Sequence, residues 1–572
     1  MNNNNLANKI LQDADLRTQI GKQLTGLYDD KQSWDPTWRL LQQFINPCRG
    51  RLDDDNDNDG ARKDAKRKVM LDPYPMEAHR ICAAGIQGGL TSPGRPWFAV
   101  SLLDEERSKN HDMRMWLDIC HDMMMTIFAK GNIYGTYYHT YEELGQFGTG
   151  AALLYEDYNT AMWCKPLTIG EYAAGIYYRN RVSTLARKFK LTAAQMVQEF
   201  GYDNVSSSVQ TAYKNKNMTN RFPVYNLIEQ HTGYDKEIIA YGNFPWRSYY
   251  WEPEVNDKTF LRVSGFYECP FIMPRWSTIS NNVYGYGPGH AALGNCMQIQ
   301  KMDKGKLRII DNEADPPVVI PSEMEKVDRL PGGLNRVPAN TNFKIQNLYQ
   351  PNQGYEKISA EIESKHRQIS NAFFNDLFIM LANSNNTNIT AREVAERHEE
   401  KLLMLGPVLD QMNNEVLSPS VKRLFGICLR NGIFPPPPEP INEEELKIEY
   451  ISILAQAQKM VEIPAIEKHM GFVGNMAGPF PAVLDNYNPD VITREHANLS
   501  GVKAKLLRPE EEVEQIRKQR AEAEEQEKVT AEMAALAQNA KPAADAARLL
   551  SETNVSSDNI LGTLLGGGGT HE

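Results

Sequence analysis

The sequence predicts a mainly helical α+β protein, and three observations carry that prediction. Apolar residues recur at helical spacing in separate segments before residue 140 and after residue 289. Between them, residues 150–276 change to short β-rich runs divided by turns. Hydrophobic residues make up 41% of the 572 and charged residues 24%, the balance of a chain that buries a large core and folds as about three to four structural units.

The helical segments begin at residues 7–45, where Leu11, Ile20, Leu24 and Leu27 lead into a turn around Trp34 and Trp38. Arg51 to Lys68 is a charged stretch expected to be a surface loop. Helical patterns resume at 75–90 and 112–140, the latter crowded with Met113, Met115, Trp116, Met123, Met124, Met125 and Phe128 and read as a core helix. Strands are expected at Ala152–Tyr155, Met162–Leu167, Val224–Gln230, Arg247–Trp251 and Phe260–Tyr267. One helix interrupts them, opening at Thr192 with Gln195 three residues on as a capping box and stopping before Gly201.

Helix returns over 289–312, gives way to a Pro- and Gly-rich insert at 313–354, and resumes over 355–380 with Ile358, Ile362, Ile369, Phe373 and Leu377 on one face. The two helices are expected to lie side by side. Residues 381–389 follow as a polar loop, and Thr390 starts a long helix reaching about residue 432. Within it Gly406-Pro407 is expected to kink the axis, because proline removes an internal hydrogen bond and crowds the preceding turn. Gly432 and the prolines at 435–438 end it. A smaller helical unit is expected over 442–507, one solvent-facing helix over 509–540, and a disordered tail with Gly566 to Gly569.

Motifs that carry chemistry fail on inspection. Asp55-x-Asp57-x-Asp59-Gly60 opens like a calcium loop, but Lys66 stands where a bidentate Glu is required and Lys63 at the ninth position. Gly85-Ile-Gln-Gly88-Gly89 and Gly285-Tyr-Gly287-Pro-Gly289 lack the lysine of a nucleotide-hydrolysing loop, so turn geometry explains them better. His398-Glu399-Glu400-Lys401 falls short of a zinc-binding H-E-x-x-H pair, and no G-x-S-x-G elbow occurs. The seven cysteines (Cys48, Cys82, Cys120, Cys164, Cys269, Cys296, Cys428) are scattered singly and read as reduced packing residues, so no metal or cofactor is expected. With neither a basic apolar leader nor a run long enough to span a bilayer, the chain is expected to stay in the cytoplasm of the cell that makes it. A net charge of −11 argues against tight nucleic-acid holding, which needs clustered Lys and Arg to neutralise phosphates.

Four strings, in this order, resemble the head-to-tail connector, or portal, family of short-tailed T7-like bacteriophages. They are Gly89-Leu-Thr-Ser-Pro93 with Arg95-Pro-Trp-Phe98, Tyr141-Glu-Glu-Leu-Gly-Gln-Phe-Gly-Thr-Gly150, Pro274-Arg-Trp276 followed by Tyr284-Gly285, and Leu405-Gly-Pro407. The resemblance runs over most of residues 10–510. Each string also has a plain structural reading as turns and large packing groups.

The resemblance implies a non-enzymatic, cone-shaped homo-oligomeric ring, usually of about twelve subunits, at one capsid vertex of the virion. Double-stranded DNA would pass through it; terminase, tail adaptor or nozzle proteins, the major capsid and scaffold proteins and internal core proteins would be its partners, with no membrane involved. On this chain it implies an N-terminal arm and α+β wing (1–288), stem helices (289–312 and 355–380), a clip (313–354), a channel loop (381–389), a kinked wing helix (390–432), a crown (440–508), a barrel helix (509–545) and a disordered tail (546–572).

Small uncharged residues in that loop, Asn383, Ser384, Asn385, Asn386, Thr387 and Asn388, would brush phosphates without a charge-assisted bond strong enough to stall them. Lys301, Lys304, Lys306 and Arg308 on one stem helix have two readings, a cationic band lining the channel or ion pairs to a neighbouring subunit. Two rival functions share part of these features. Another virion ring, such as a head-completion or tail-adaptor protein, would also lack catalytic motifs; an acidic hydrolase would need a cleft and a carboxylate pair.

Overall fold

The computed structural model describes residues 13–52, 70–104, 107, 111–177, 179–217, 219–234, 243–253, 259–320, 327–328, 333–335, 346–347, 354–383, 405–438, 440, 446–451, 463–499, 508 and 512–531. The fold is α+β and mainly helical, and the chain divides into two compact units, the first holding residues 1–488 and 499–501, the second 489–498 and 502–572.

In the first unit α1 (Ala14–Gln32) opens at Asp13, whose carboxylate accepts from the Leu16 amide at 2.9 Å, and α2 (Asp35–Phe44) follows. Then come α3 (Tyr74–Leu90), β1 (Phe98–Leu102), α4 (His111–Lys130) and α5 (Ile133–Phe147). The single helix expected over 112–140 is therefore two. Gly131-Asn132 breaks it, and the Asn132 side chain takes up the Cys164 backbone instead, donating to its carbonyl at 2.6 Å and accepting from its amide at 2.8 Å. On α4 the methionine reading holds in part, since Met113, Trp116, Met124 and Phe128 are buried and Met115 is exposed.

The β block comprises β2 (Ala151–Asp157), β3 (Ala161–Leu167), β4 (Tyr172–Ile176), β5 (Val182–Thr192), α6 (Ala193–Phe200), α7 (Ser207–Lys214), β6 (Arg221–Gln230), β7 (Trp246–Trp251), β8 (Arg262–Phe266) and β9 (Phe271–Ile272). It forms two antiparallel sheets, ordered β3-β2-β9 and β4-β5-β6-β7-β8. Both halves of the capping box at Thr192 and Gln195 are present. The glycines at 85–89 are not a turn, as expected, but lie inside α3; a Cβ on Gly85 would stand 2.1 Å from Phe378, so the missing side chain makes room for a ring.

The remaining elements of this unit are α8 (Pro288–Ala314), a two-residue antiparallel bridge of β10 (Val318–Val319) with β11 (Gln346–Asn347), α9 (Gly354–Ala372), α10 (Asn375–Asn383), helical residues 405–412 as α11, a π-turn at Asn413–Leu417 and α12 (Ser418–Arg430). The helix expected over 355–380 is thus interrupted. Phe374 adopts φ +58, a rare left-handed conformation for a bulky residue, and the bend buries Phe373 and Phe378 while stacking Phe374 on Trp276 at 6.1 Å. Gly432, at φ +64, closes α12 as expected.

The region expected to be wholly helical over 442–507 opens with a strand, β12 (Leu446–Tyr450), which pairs antiparallel with β1 across some 350 residues of chain. Then follow α13 (Ile463–Ala477) and, in the second unit, α14 (Pro489–Leu499) and helical residues 512–531 as α15, joined by a two-point ion pair of Arg517 with Asp490 at 2.6 and 2.7 Å. The calcium-like loop at 55–66, His398, residues 384–404 and the tail beyond 531 lie outside the described residues.

Candidate functional site

The helical hairpin of α8 and α9, and the core that roots it, hold most of the residues singled out above. α8 starts where two glycine strings meet. Gly148, at φ +74, ends α5 and hands over to β2, and a Cβ there would lie 2.3 Å from the Gly285 carbonyl; one on Gly289 would lie 2.2 Å from the Gln146 carbonyl. Backbone packs directly on backbone, which only glycine allows. Pro288 at the first turn of α8 supplies a helical φ at no hydrogen-bonding cost.

Residues 71–74 clamp both helices at the root. Gln300 on α8 accepts from the Leu71 and Asp72 amides at 2.9 and 3.2 Å and donates to the Asp72 carbonyl at 2.7 Å. His366 on α9 meets the Asp72 carboxylate at 2.8 Å and stacks on Tyr74 with ring centres 4.0 Å apart. Nearer the start of α8 Lys365 donates to the Asn295 side chain at 3.4 Å, and further out the Lys306 ammonium sits 5.1 Å from the Tyr355 ring. The two helices are antiparallel neighbours with the insert at their far end.

The four cations of α8 do not form one band. Lys301, Lys304 and Arg308 share an exposed edge and make no ion pair with a described residue, whereas Lys306 points the other way, to Tyr355 on α9. Asn383 is the last residue of α10, and Ser384, Asn385, Asn386, Thr387 and Asn388 lie outside the described residues. Gly406 and Pro407 stand in the first described turn of α11; the turn before them is not described, so the irregularity visible in this helix is the π-turn six residues on.

That π-turn carries a residue the sequence reading missed. Glu415 receives Arg275, which is 1% exposed and donates its Nε to Glu415 at 2.9 Å, its backbone amide at 2.8 Å, and a terminal nitrogen to the Asn180 carbonyl at 2.7 Å. Burial raises the Glu415 pKa, and Arg275 opposes that rise. A second missed arginine, Arg423 on α12, is wholly buried, donates to the Leu154 carbonyl at 3.0 Å and to Glu268 at 3.2 Å, and lies 5.0 Å from the Phe266 ring. Both tie the helix that follows the hairpin to the sheets. The signal was available: Val416, Ser420, Arg423 and Ile427 fall on one helical face, and an arginine on a buried face needs partners.

The string from Tyr141 to Gly150 is equally structural. Arg49 pairs with Glu142, Glu143 accepts from Thr168 at 2.7 Å and from the Ile169 amide at 3.0 Å, and Gln146 donates to the Leu41 and Asn46 carbonyls at 3.2 and 3.1 Å. Burial lifts the Glu143 pKa to about 6 against the pull of Arg49. His79, fully buried, donates from Nε2 to the Glu142 carbonyl at 2.7 Å, and burial pushes its pKa down to about 3. Thiols behave alike, with burial raising Cys120, Cys164, Cys269, Cys296 and Cys428 to about 12, where they pack rather than react.

Among the described residues there is no metal-binding cluster of His, Cys, Asp or Glu and no helix long and apolar enough to cross a membrane. A cavity beneath α10, lined by Ile86, Leu144, Trp276, Phe378, Leu405 and Met412 among others, measures about 10 Å³ and exposes only apolar surface. That is room for one water at most.

Compared with known proteins, residues 17–507 match the family of bacteriophage head to tail connecting proteins. The chain belongs to this connector family. The probable portal protein of Bordetella phage BPP-1 is 35% identical over 538 residues, 94% of this chain and 95% of that protein. The portal protein of Salmonella phage epsilon15 is 35% identical over 551 residues, 95% of this chain and 97% of it. As a connector the protein is structural, not an enzyme, which removes the hydrolase reading. The arginine clamps and glycine contacts then make sense as stiffening around the hairpin.

Proposed function

We propose that this connector works as one subunit of a homo-oligomeric ring of about twelve copies at the capsid vertex, through whose channel double-stranded DNA is packaged and ejected. The observation that supports this most directly is the α8–α9 hairpin, two long helices rooted by Gln300 and His366 in a rigid core with the insert at their far end. The hairpin serves as the stem, residues 313–354 as the clip that docks terminase and later the tail adaptor or nozzle, and residues 381–389 as the loop entering the channel.

Residues 390–432 cross the wing, 440–508 form the crown and 509–545 a barrel, and major capsid, scaffold and internal core proteins bind around them. The ring assembles in the host cytoplasm. Solution mass of the purified chain with negative-stain images tests the proposal. A ring with a central hole is expected, and a compact monomer with a closed cleft would overturn it. Shortening residues 383–388 is expected to leave rings intact and lower the DNA packaged or retained; unchanged packaging would remove the loop's role.

A further inference from the structure

One corner of the first unit stands apart from its core. There α13 and the 3-10 helix after it (Pro481–Asn486) fold back on each other. The 15 residues of α13 include two charged ones, Glu467 and Lys468. A helix this apolar is ordinarily buried. Yet Val473 is the one buried side chain among those described on α13, and it joins none of the hydrophobic clusters that make up the core.

Two contacts set the register of the corner. The Phe480 amide donates to the Met476 carbonyl at 3.0 Å, and His469 Nε2 meets the Tyr487 hydroxyl at 3.0 Å. Both pairs fit one antiparallel alignment, and that alignment puts Leu484 level with Phe472. Phe472, Phe480 and Leu484 are 61%, 60% and 50% exposed. Large apolar side chains at that exposure show together on the order of 300 Å² to solvent, the size at which a patch marks an interaction site.

The opposite flank of α13 is apolar as well. Met470 lies about 160° from Phe472 round the helix, with Ile466 one turn before it, and both are half-buried. His469, held by Tyr487, falls between the two flanks. Residues 466–487 carry one lysine against Glu467 and Asp485, so the patch offers nothing to phosphate.

A closed ring says what can cover it. Each subunit meets its two neighbours through different faces, and every copy of α13 stands at the same height and radius. An apolar patch on one flank therefore calls for apolar surface on the other flank of the next copy, and Ile466 and Met470 supply it. We infer that Phe472, Phe480 and Leu484 form a docking surface for a second copy of this chain, which seats the Ile466 and Met470 flank of its own α13 on them. This deepens the portal reading and rests on the ring it proposes. The contact ties neighbouring subunits together at residues 466–487, far along the chain from the hairpin.

The test uses rings of the full chain in a Cys48→Ala background, since Cys48 is the exposed native thiol among the described residues. Phe472→Cys and Met470→Cys, together in one chain, are treated with a short bis-maleimide. In rings the pair is expected to give a ladder of covalently joined subunits, while separated subunits give none. Each single variant is also expected to give none, because like positions do not meet across a head-to-tail contact. Rings of the double variant without a ladder, or a ladder from Phe472→Cys alone, overturn the inference. So do rings in which residue 472 reacts with a maleimide as fast as in separated subunits, which would leave the patch to another partner.

A second measurement removes the patch itself. Phe472→Ser with Leu484→Ser is expected to leave the melting temperature of the separated subunit unchanged and to raise about tenfold or more the protein concentration at which rings form. Rings of unchanged stability with a destabilised subunit would show that the patch packs within its own chain, and would overturn the inference. A wild-type chain that forms no ring fails differently, by removing the ring and this contact with it.

Discussion

The core around α5 and the outer part of the α8–α9 hairpin use charge in opposite ways. In the core Arg275, Arg423 and Glu143 are buried, each answered by two or more partners, and glycines bring backbone against backbone. On the hairpin edges Lys301, Lys304, Arg308, Glu356 and Glu363 stand in solvent without a described ion-pair partner. The difference teaches that the conspicuous strings of this sequence hold a frame, while the hairpin edges carry ordinary charged residues at helical spacing.

The strongest way to break that contrast is to remove a core charge. Arg275→Ala leaves Glu415 in the interior without its counter-charge, held only by the residue-275 amide and the Gln411 side chain, and is expected to cost about 3–5 kcal/mol in a denaturant melt, while Arg275→Met with Glu415→Met recovers most of it, because both desolvation costs vanish together. A loss below about 1 kcal/mol would mean the clamp is not what fixes the π-turn. Next comes Gly148→Ala. Its φ of +74 costs an L-residue about 1–2 kcal/mol, and a Cβ 2.3 Å from the Gly285 carbonyl forces the two backbones apart for about 1–3 more. The same substitution at Gly26, with nothing within 4 Å, serves as the control.

A smaller effect appears with pH. His79 and His290 are held neutral by burial, with folded pKa values of about 3 and about 4 against an ordinary 6.5. The unfolded chain binds protons that the folded chain refuses, so stability is expected to fall as pH drops from about 6.5 toward 4. Glu143 works against this, because its folded pKa of about 6 lies above the ordinary 4.5 and protonation there favours the fold. His79→Gln, whose amide can still donate to the Glu142 carbonyl, is expected to flatten the decline in melting temperature. An unchanged slope would assign the effect to other groups.

How legible each part was follows from where its information lies. Strands β2, β3, β6 and β7 and the capped helix α6 are written locally, in alternation and in the Thr192–Gln195 pair. β5 was not, because Arg187, Lys188 and Lys190 spoil its pattern. The fold accommodates two of them over aromatic rings, Arg187 on Phe189 at 4.5 Å and Lys188 on Tyr28 at 3.9 Å. β1 could not be seen at all without its partner β12, far along the chain. For the site, the hairpin and its cations were readable, and spacing alone parts Lys306 from the other three, about 140° round the helix from Lys301. Which side meets α9 was not readable, and it shows only where Tyr355 stands beside Lys306. Arg275 was visible inside the Pro274-Arg-Trp276 string, yet its role depends on Glu415, 140 residues away.

The smallest expected effect sharpens the contrast most. Replacing Lys301, Lys304 and Arg308 together with alanine removes three exposed charges from a helix and substitutes the best helix former at each position. With no described ion pair to lose, the stability of the separated subunit is expected to stay within about 0.5 kcal/mol of wild type. A loss above about 1 kcal/mol would show that this edge is packed within its own chain, and charge on the hairpin would then be framework like the charge in the core. If stability holds, whatever the triple variant changes in rings must come from contacts outside the subunit, which is where a connector does its work.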